Sequence, residues 1–226
     1  MSGKCERRVL SARFSLLLNR FVLILIPVFL ISCIGTSSQI KLNANGSGTI
    51  SQEIRVSREL MNMGKTEGNE EQFSLPLSRE DVERTVERIP GTRLVSYNSR
   101  EDGKDFIINV EFAFDSTEAL AELMGTGDQQ FVADARNRKI TIHFPAGDYI
   151  GGGEPEGLIA AAFTGYEYSF SIAVPGPAKT AWFDEIGRSI QQYPGTCAVQ
   201  NNTVQYTVSM GDLVGLGSPL NMEINW

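Results

Sequence analysis

Between positions 105 and 114 the chain reads Asp-Phe-Ile-Ile-Asn-Val-Glu-Phe-Ala-Phe, which puts Phe106, Ile108, Val110, Phe112 and Phe114 at every second residue. Successive side chains of a strand point to opposite faces, so this period lays five large apolar groups along one side of a sheet. No single helical face gathers them. The strand is expected to be central, with those five residues buried. Just before it stands Glu101-Asp102-Gly103-Lys104, whose Asp-Gly pair suits a two-residue hairpin turn and pairs residues 92–100 with 105–114.

The same reading extends along the chain. Residues 39–44 and 49–56 alternate on either side of Asn45-Gly46-Ser47-Gly48, where glycines supply left-handed backbone for a tight turn. Ser57 opens a short helix over 58–63, stopped by Gly64, and 65–72 is polar. Ser78-Arg79-Glu80-Asp81 has the spacing of a capping box, with an aspartate in the usual place of glutamate. Val82, Val86 and Ile89 follow at helical intervals until Pro90-Gly91 ends the helix. Asp115-Ser116-Thr117-Glu118 opens a further helix through 119–124, which Gly125 closes. Residues 129–133 and 139–144 form a hairpin across 134–138, and 145–157 is a loop rich in glycine and acid. The run 158–163 is too short for its period to separate helix from buried strand. Strands are expected over 166–174, 198–199, 204–208 and 220–226, the middle pair turning at Asn201-Asn202. Hairpins broken by two or three short helices imply an α+β fold, a predominantly antiparallel sheet with the helices packed on one face.

Export is written at the N-terminus. Leu30-Ile31-Ser32-Cys33 has the form of a bacterial lipobox, and Lys4, Arg7, Arg8, Arg13 and Arg20 precede or flank the apolar run from Phe21 to Ile34. A transmembrane helix needs about 20 apolar residues, so this run is short for a span, and Pro27 interrupts it. Residues 1–32 therefore read as a signal peptide that is removed, with Cys33 the acylated first residue of the mature chain. Residues 33–38 are expected to be the lipidated cysteine and a short tether, and 39–226 a single domain. One acyl chain holds a membrane only marginally, whereas two or more hold it stably.

Removing the signal leaves 15 basic and 26 acidic residues, a net charge of −11. Such a surface lacks the basic footprint that nucleic acid requires and gives no attraction to anionic lipid. Cys5 leaves with the signal and Cys33 is taken by lipid, so Cys197 stands alone and no disulfide is possible within the mature chain. Its neighbours mark it as a small buried hydrophobe rather than a reactive thiol.

Catalytic chemistry has few starting points. His143, the sole histidine, lies in the strand-like Ile140-Thr141-Ile142-His143-Phe144 and reads as structural. No serine has a nucleophile-elbow context, and one histidine with one spare cysteine does not make a typical zinc site. Asp102, Asp105, Glu101 and Asp115 lack the density of a calcium loop. Glycine pairs at 125–127 and 215–217 lack the lysine of a phosphate loop. Glu154 and Glu156, in a Gly-rich loop, are the pair to examine for a carboxylate-based hydrolase. No cofactor is expected.

An Asn-Gly-Ser-Gly turn soon after the lipobox, a middle helix followed by a hairpin with an acidic turn, a strand ending in Val174-Pro175-Gly176 and a late polar hairpin together resemble the LppM-like lipoprotein domain over residues 39–226. The resemblance implies an envelope location and contact with lipid or glycolipid, and it carries over no catalytic residue. Many members have a C-terminal transmembrane helix, and this chain ends at Trp226, which leaves the expected anchoring to Cys33. The combined reading is a membrane-anchored, non-enzymatic envelope module for an apolar or lipid ligand or an envelope protein partner, with a hydrolase of envelope polymers as the alternative. Ile34 follows Cys33 in place of the aspartate that retains enteric lipoproteins at the inner membrane. An outer-membrane or surface location is therefore expected if the host has an outer membrane, and otherwise the outer face of the plasma membrane.

Overall fold

A computed structural model describes residues 34–58, 78–125, 131–146 and 165–226. Cys33, Glu154, Glu156, most of the expected helix over 58–63 and the run 158–163 lie outside them. The described elements are β1 (Ile34–Leu42), β2 (Gly48–Ser57), α1 (Arg79–Arg88), β3 (Thr92–Asp102), β4 (Asp105–Phe114), α2 (Thr117–Met124), β5 (Phe131–Asp134), β6 (Lys139–Phe144), β7 (Glu167–Ala173), β8 (Lys179–Asp184), β9 (Thr196–Gln200), β10 (Thr203–Ser209), α3 (Met210–Val214) and β11 (Leu220–Asn225). The α+β class holds, with strands joined mainly by antiparallel pairing.

Two sheets share the strands. The larger runs β3-β4-β2-β1-β7-β10-β9 and the smaller β5-β6-β11-β8. All pairings are antiparallel except β1 with β7, which run parallel from Thr36↔Tyr168 to Lys41↔Ala173. On the inner face of the large sheet, Ile40, Ile50, Ile108, Phe112, Ile172 and Val204 are all buried. The small sheet contributes Ile140, Ile142, Met222 and Ile224 to the same hydrophobic cluster. Aromatic rings join the layers, with Phe144 of β6 and Trp182 of β8 lying 5.6 and 5.2 Å from Tyr206 of β10. Elsewhere helices complete the cover: α1 lies against β3, and α2 against β4 and β5.

Helix ends follow local chemistry. Ser78 Oγ accepts from the Asp81 backbone N–H at 3.2 Å while the Asp81 carboxylate accepts from the Ser78 backbone N–H at 3.3 Å, which completes the capping box, and the Ser78 hydroxyl also donates to that carboxylate at 2.6 Å. Ser116 caps α2 by accepting from Ala119 N–H. The Ser78 hydroxyl holds the Asp81 carboxyl below its usual range, as the Asn137 backbone N–H does for Asp134 and the Arg188 guanidinium for Asp184. A carboxylate lowered in the folded state adds stability above its unfolded value of about 4, and that stability is lost as pH falls through the folded value. Melting temperature is therefore expected to be flat from pH 7 to about 5 and to fall steadily below about 4 in an acid titration. Replacing Asp81, Asp134 and Asp184 together by asparagine should flatten the acid limb.

The structure corrects several expectations. Residues 34–38 are not a tether, because they form the first half of β1, paired with β2 from Ile34↔Val56 onward. Their small side chains hid this. Thr36 and Ser38 sit beside Tyr168 and Phe170 on β7, so small residues leave room for large ones in the neighbouring strand. β4 is not the middle strand either. It lies second from one edge, and β1 takes the middle because β7 adds to its free side. Strand β8 and helix α3 had no signal in the sequence: Lys-Thr-Ala-Trp-Phe-Asp shows no clear alternation, and five residues are too few for helical periodicity.

Candidate functional site

The outer face of the large sheet is built from the residues that alternate with the core. Ser37 and Gln39 of β1, Ser51 and Glu53 of β2, and Asn109 and Glu111 of β4 share this face through the antiparallel register. Ser169 and Ser171 extend it onto β7. Ile107 is an apolar exception, fully buried between its cross-strand partners Arg55 and Arg100. A Val95 bulge in β3 shifts the register between Leu94 and Ser96, so Ser96 stands opposite Glu111.

Two open clefts run along this face and meet at Ser37 and Glu53. The first, about 360 Å³, lies where β1 begins and reaches Gly35, Arg55, Lys104, Asp105 and Glu167. The second, about 380 Å³, continues over Gln39, Ser51, Ser96, Asn109 and Glu111. Both volumes fall within the ~300–1,000 Å³ typical of ligand sites. The lining is mostly hydroxyl, amide and charged groups carried on rigid strands, which suits recognition by hydrogen bonds and charge.

Charges are unevenly committed in the first cleft. Arg55 Nε donates to Glu53 Oε1 at 2.8 Å, and Arg58 pairs with Glu101 beside it. Lys104 makes no ion pair with any described residue, although its carbonyl accepts from Arg58 N–H at 2.8 Å. Asp105 Oδ1 is buried and has no hydrogen-bond partner among the described residues. Lys104 and Asp105 thus line the cleft from adjacent positions, with one Asp105 oxygen buried away from it. Glu53 and Glu111 are diagonal neighbours across β2 and β4, a relation that puts strand positions about 7–8 Å apart.

Two further sites flank the Asn43–Ser47 turn at the opposite end of β1. One, about 210 Å³, is bounded by Arg138 and Trp226. The other, about 620 Å³, lies between the start of α2 and the β5–β6 turn.

Comparison with known proteins adds a likeness in structure. No family model matches the chain, and no curated protein does. The chain is similar to the folded domain of Mycobacterium tuberculosis LppM, solved by NMR, at 9% identity and a TM-score of 0.41 over 86% of this chain and 90% of that one. The distance is too great to carry a function across.

Other residues marked from sequence are dispersed. His143 Nδ1 lies 3.0 Å from Asn221 Oδ1, and Asn221 Nδ2 donates to the Asp184 carbonyl at 3.4 Å, tying three strands of the small sheet together. Cys197 is half-buried, its sulfur 4.0 Å from Thr180 Oγ1, and burial pushes its thiol up. Such a thiol is a weak nucleophile. Asp105 starts β4 and Asp115 follows its end, about 30 Å away along ten strand residues, so the four acids considered for calcium do not converge. Sequence reasoning passed over Glu53, Arg55, Lys104 and Glu111 because polar outward positions of a strand look like ordinary solvated surface. Their signal was the run of serine, glutamine and asparagine at outward positions of β1, β2, β4 and β7.

Proposed function

We propose that this protein is a lipid-anchored bacterial envelope protein, exported through its N-terminal signal and acylated at Cys33, that works as a non-enzymatic binding module. The observation that carries the reading is the polar double cleft on an open sheet face, which starts two residues after the proposed anchor. Sheet strands fix the backbone beneath it, so the positions that carry its groups are set before a ligand is bound. A lipid seated there presents its headgroup rather than its chains, and a protein partner meets a surface of fixed donors and acceptors. The envelope location follows from the lipobox and requires no helix across the membrane. None of the described helices is long and apolar enough for that role.

Acylation is tested by metabolic labelling of the full chain with a fatty-acid analogue in a bacterial host. Wild type is expected to label and to fractionate with membranes, and Cys33→Ala to lose both signals. Equal labelling, or a mature N-terminus elsewhere, would reject the anchor. Mass spectrometry of lipids copurified with the detergent-solubilised protein then identifies what the cleft retains.

A hydrolase of envelope polymers is a second reading, favoured by Glu53 and Glu111 lining one open cleft as diagonal neighbours on adjacent strands. Against it, Glu53 gives an oxygen to Arg55 and so does not offer that oxygen to a substrate. Release of soluble fragments from purified envelope polymer, abolished by Glu111→Gln, would establish this reading in place of the first.

A further inference from the structure

Strand direction puts α3 at the same end of the large sheet as the expected anchor. Ile34 is already paired with Val56, and consecutive Cα atoms are about 3.8 Å apart, so Cys33 joins the middle strand with no tether between. β7 runs parallel to β1 and β10 antiparallel to β7, so β10 runs toward the Cys33 end. It ends at Ser209, opposite Glu167, one residue before the Tyr168 that stands beside Thr36. Strands lie about 4.8 Å apart and rise about 3.3 Å per residue, so Ser209 is about 10 Å across the sheet from β1 and about 7 Å along it from Cys33. Helix α3 starts there.

The segment is apolar for a surface position. Residues 210–219 read Met-Gly-Asp-Leu-Val-Gly-Leu-Gly-Ser-Pro and carry one charge, Asp212, in a chain that is 21% charged. No residue of α3 is buried. Leu213 and Leu216 pack against the core, whereas Met210 and Val214, one helical turn apart, are half-exposed and lie outside that cluster among the described residues. Met210 N–H donates to the Tyr166 carbonyl at 3.0 Å, and a Cβ on Gly35 would lie 3.4 Å from the half-exposed Tyr166 ring. Apolar surface therefore runs from α3 across Tyr166 to β1, two residues after Cys33. Tyrosine and a short apolar helix beside an acylated cysteine suit the boundary between headgroups and acyl chains. Arg58 and Lys104 at this end are offset by Glu101, Asp102, Glu167 and Asp212, so the contact requires no anionic lipid. We propose that α3, together with Tyr166, rests on the surface of the membrane that holds the Cys33 anchor, with Met210 and Val214 set into the headgroup boundary. The inference rests on the anchoring reading above and adds a second membrane contact, which fixes how the domain stands on the bilayer.

The test uses protein expressed from the full chain in a bacterial host, purified from membranes in detergent and reconstituted into phosphatidylcholine vesicles. Tryptophan is introduced as Val214→Trp, and fluorescence is read with and without phosphatidylcholine brominated on its acyl chains. The two native tryptophans are internal controls, because Trp182 is buried in the core and Trp226 lies beside the Asn43–Ser47 turn at the far end. Val214→Trp is expected to lose most of its added emission to the brominated lipid, whereas wild type keeps its own. Met210→Trp is expected to behave alike, and it carries the test if Val214→Trp fails to fold. Folded, acylated variants that both keep their emission would overturn the proposal and leave the anchor. Blue-shifted emission without bromine quenching would put a second copy of the chain on the patch, and quenching of wild type would put the far end at the membrane; either result overturns the proposal. The mass of the N-terminal peptide in the same preparation separates the two readings. Quenching of the variants in a chain without an acyl group supports the α3 contact and rejects the anchor.

Discussion

Ile40→Asp is expected to leave no folded protein. Ile40 is 1% exposed in the middle strand, between Ile50 of β2 and Ile172 of β7, which are equally buried. A carboxylate there has apolar neighbours on both sides, and burying an unpaired charge costs several kcal/mol against a total stability of about 5–15. Val110→Asp should also destabilise, by less. Its cross-strand partner on β2 is Gln52, a half-buried amide within 3.5 Å of Ser38 Oγ that can turn a donor toward the new charge. Circular dichroism and soluble yield check both. A folded Ile40→Asp protein melting within a few degrees of wild type would show that β1 does not occupy the middle of the sheet.

Gly48→Ala should be almost as damaging, for a steric reason. A Cβ at position 48 would lie 2.0 Å from the Lys41 carbonyl oxygen and 2.5 Å from the tip of the Phe114 ring. Neither neighbour yields easily: the carbonyl is backbone within β1, and Phe114 is 1% exposed in the core. Making room must part β1 from β2 or displace the ring, at about 3 kcal/mol, which lowers the melting temperature by about 6–12 °C. A wild-type melting curve for Gly48→Ala would mean that the β1–β2 pairing gives way cheaply. The position shows how a right turn assignment can rest on an incomplete reason. Gly46, at φ +86°, supplies the left-handed backbone of the hairpin, whereas Gly48 is needed for the space it leaves beneath Phe114.

Much of the local structure is legible in the residues alone. The alternation from Phe106 to Phe114, the Asp102-Gly103 and Asn201-Asn202 turns and the capping box at Ser78 each specify an element through interactions within a few positions of one another. These features determine the hairpins, the two longer described helices and the α+β class. The lipobox-like pattern at Leu30–Cys33, likewise local, carries the proposed address. Contacts between residues far apart in the chain decide the rest. β1 becomes the middle strand because β7, more than a hundred residues later, pairs with its free side, and only that pairing turns the small residues from Gly35 to Ser38 from an apparent tether into sheet. The second sheet exists because Met222 and Ile224 of β11 find partners on β6 and β8. The cleft has the same origin. Gly35, Arg55, Lys104, Asp105 and Glu167 come from four strands and a turn, and no spacing in the sequence records a meeting made by strand order.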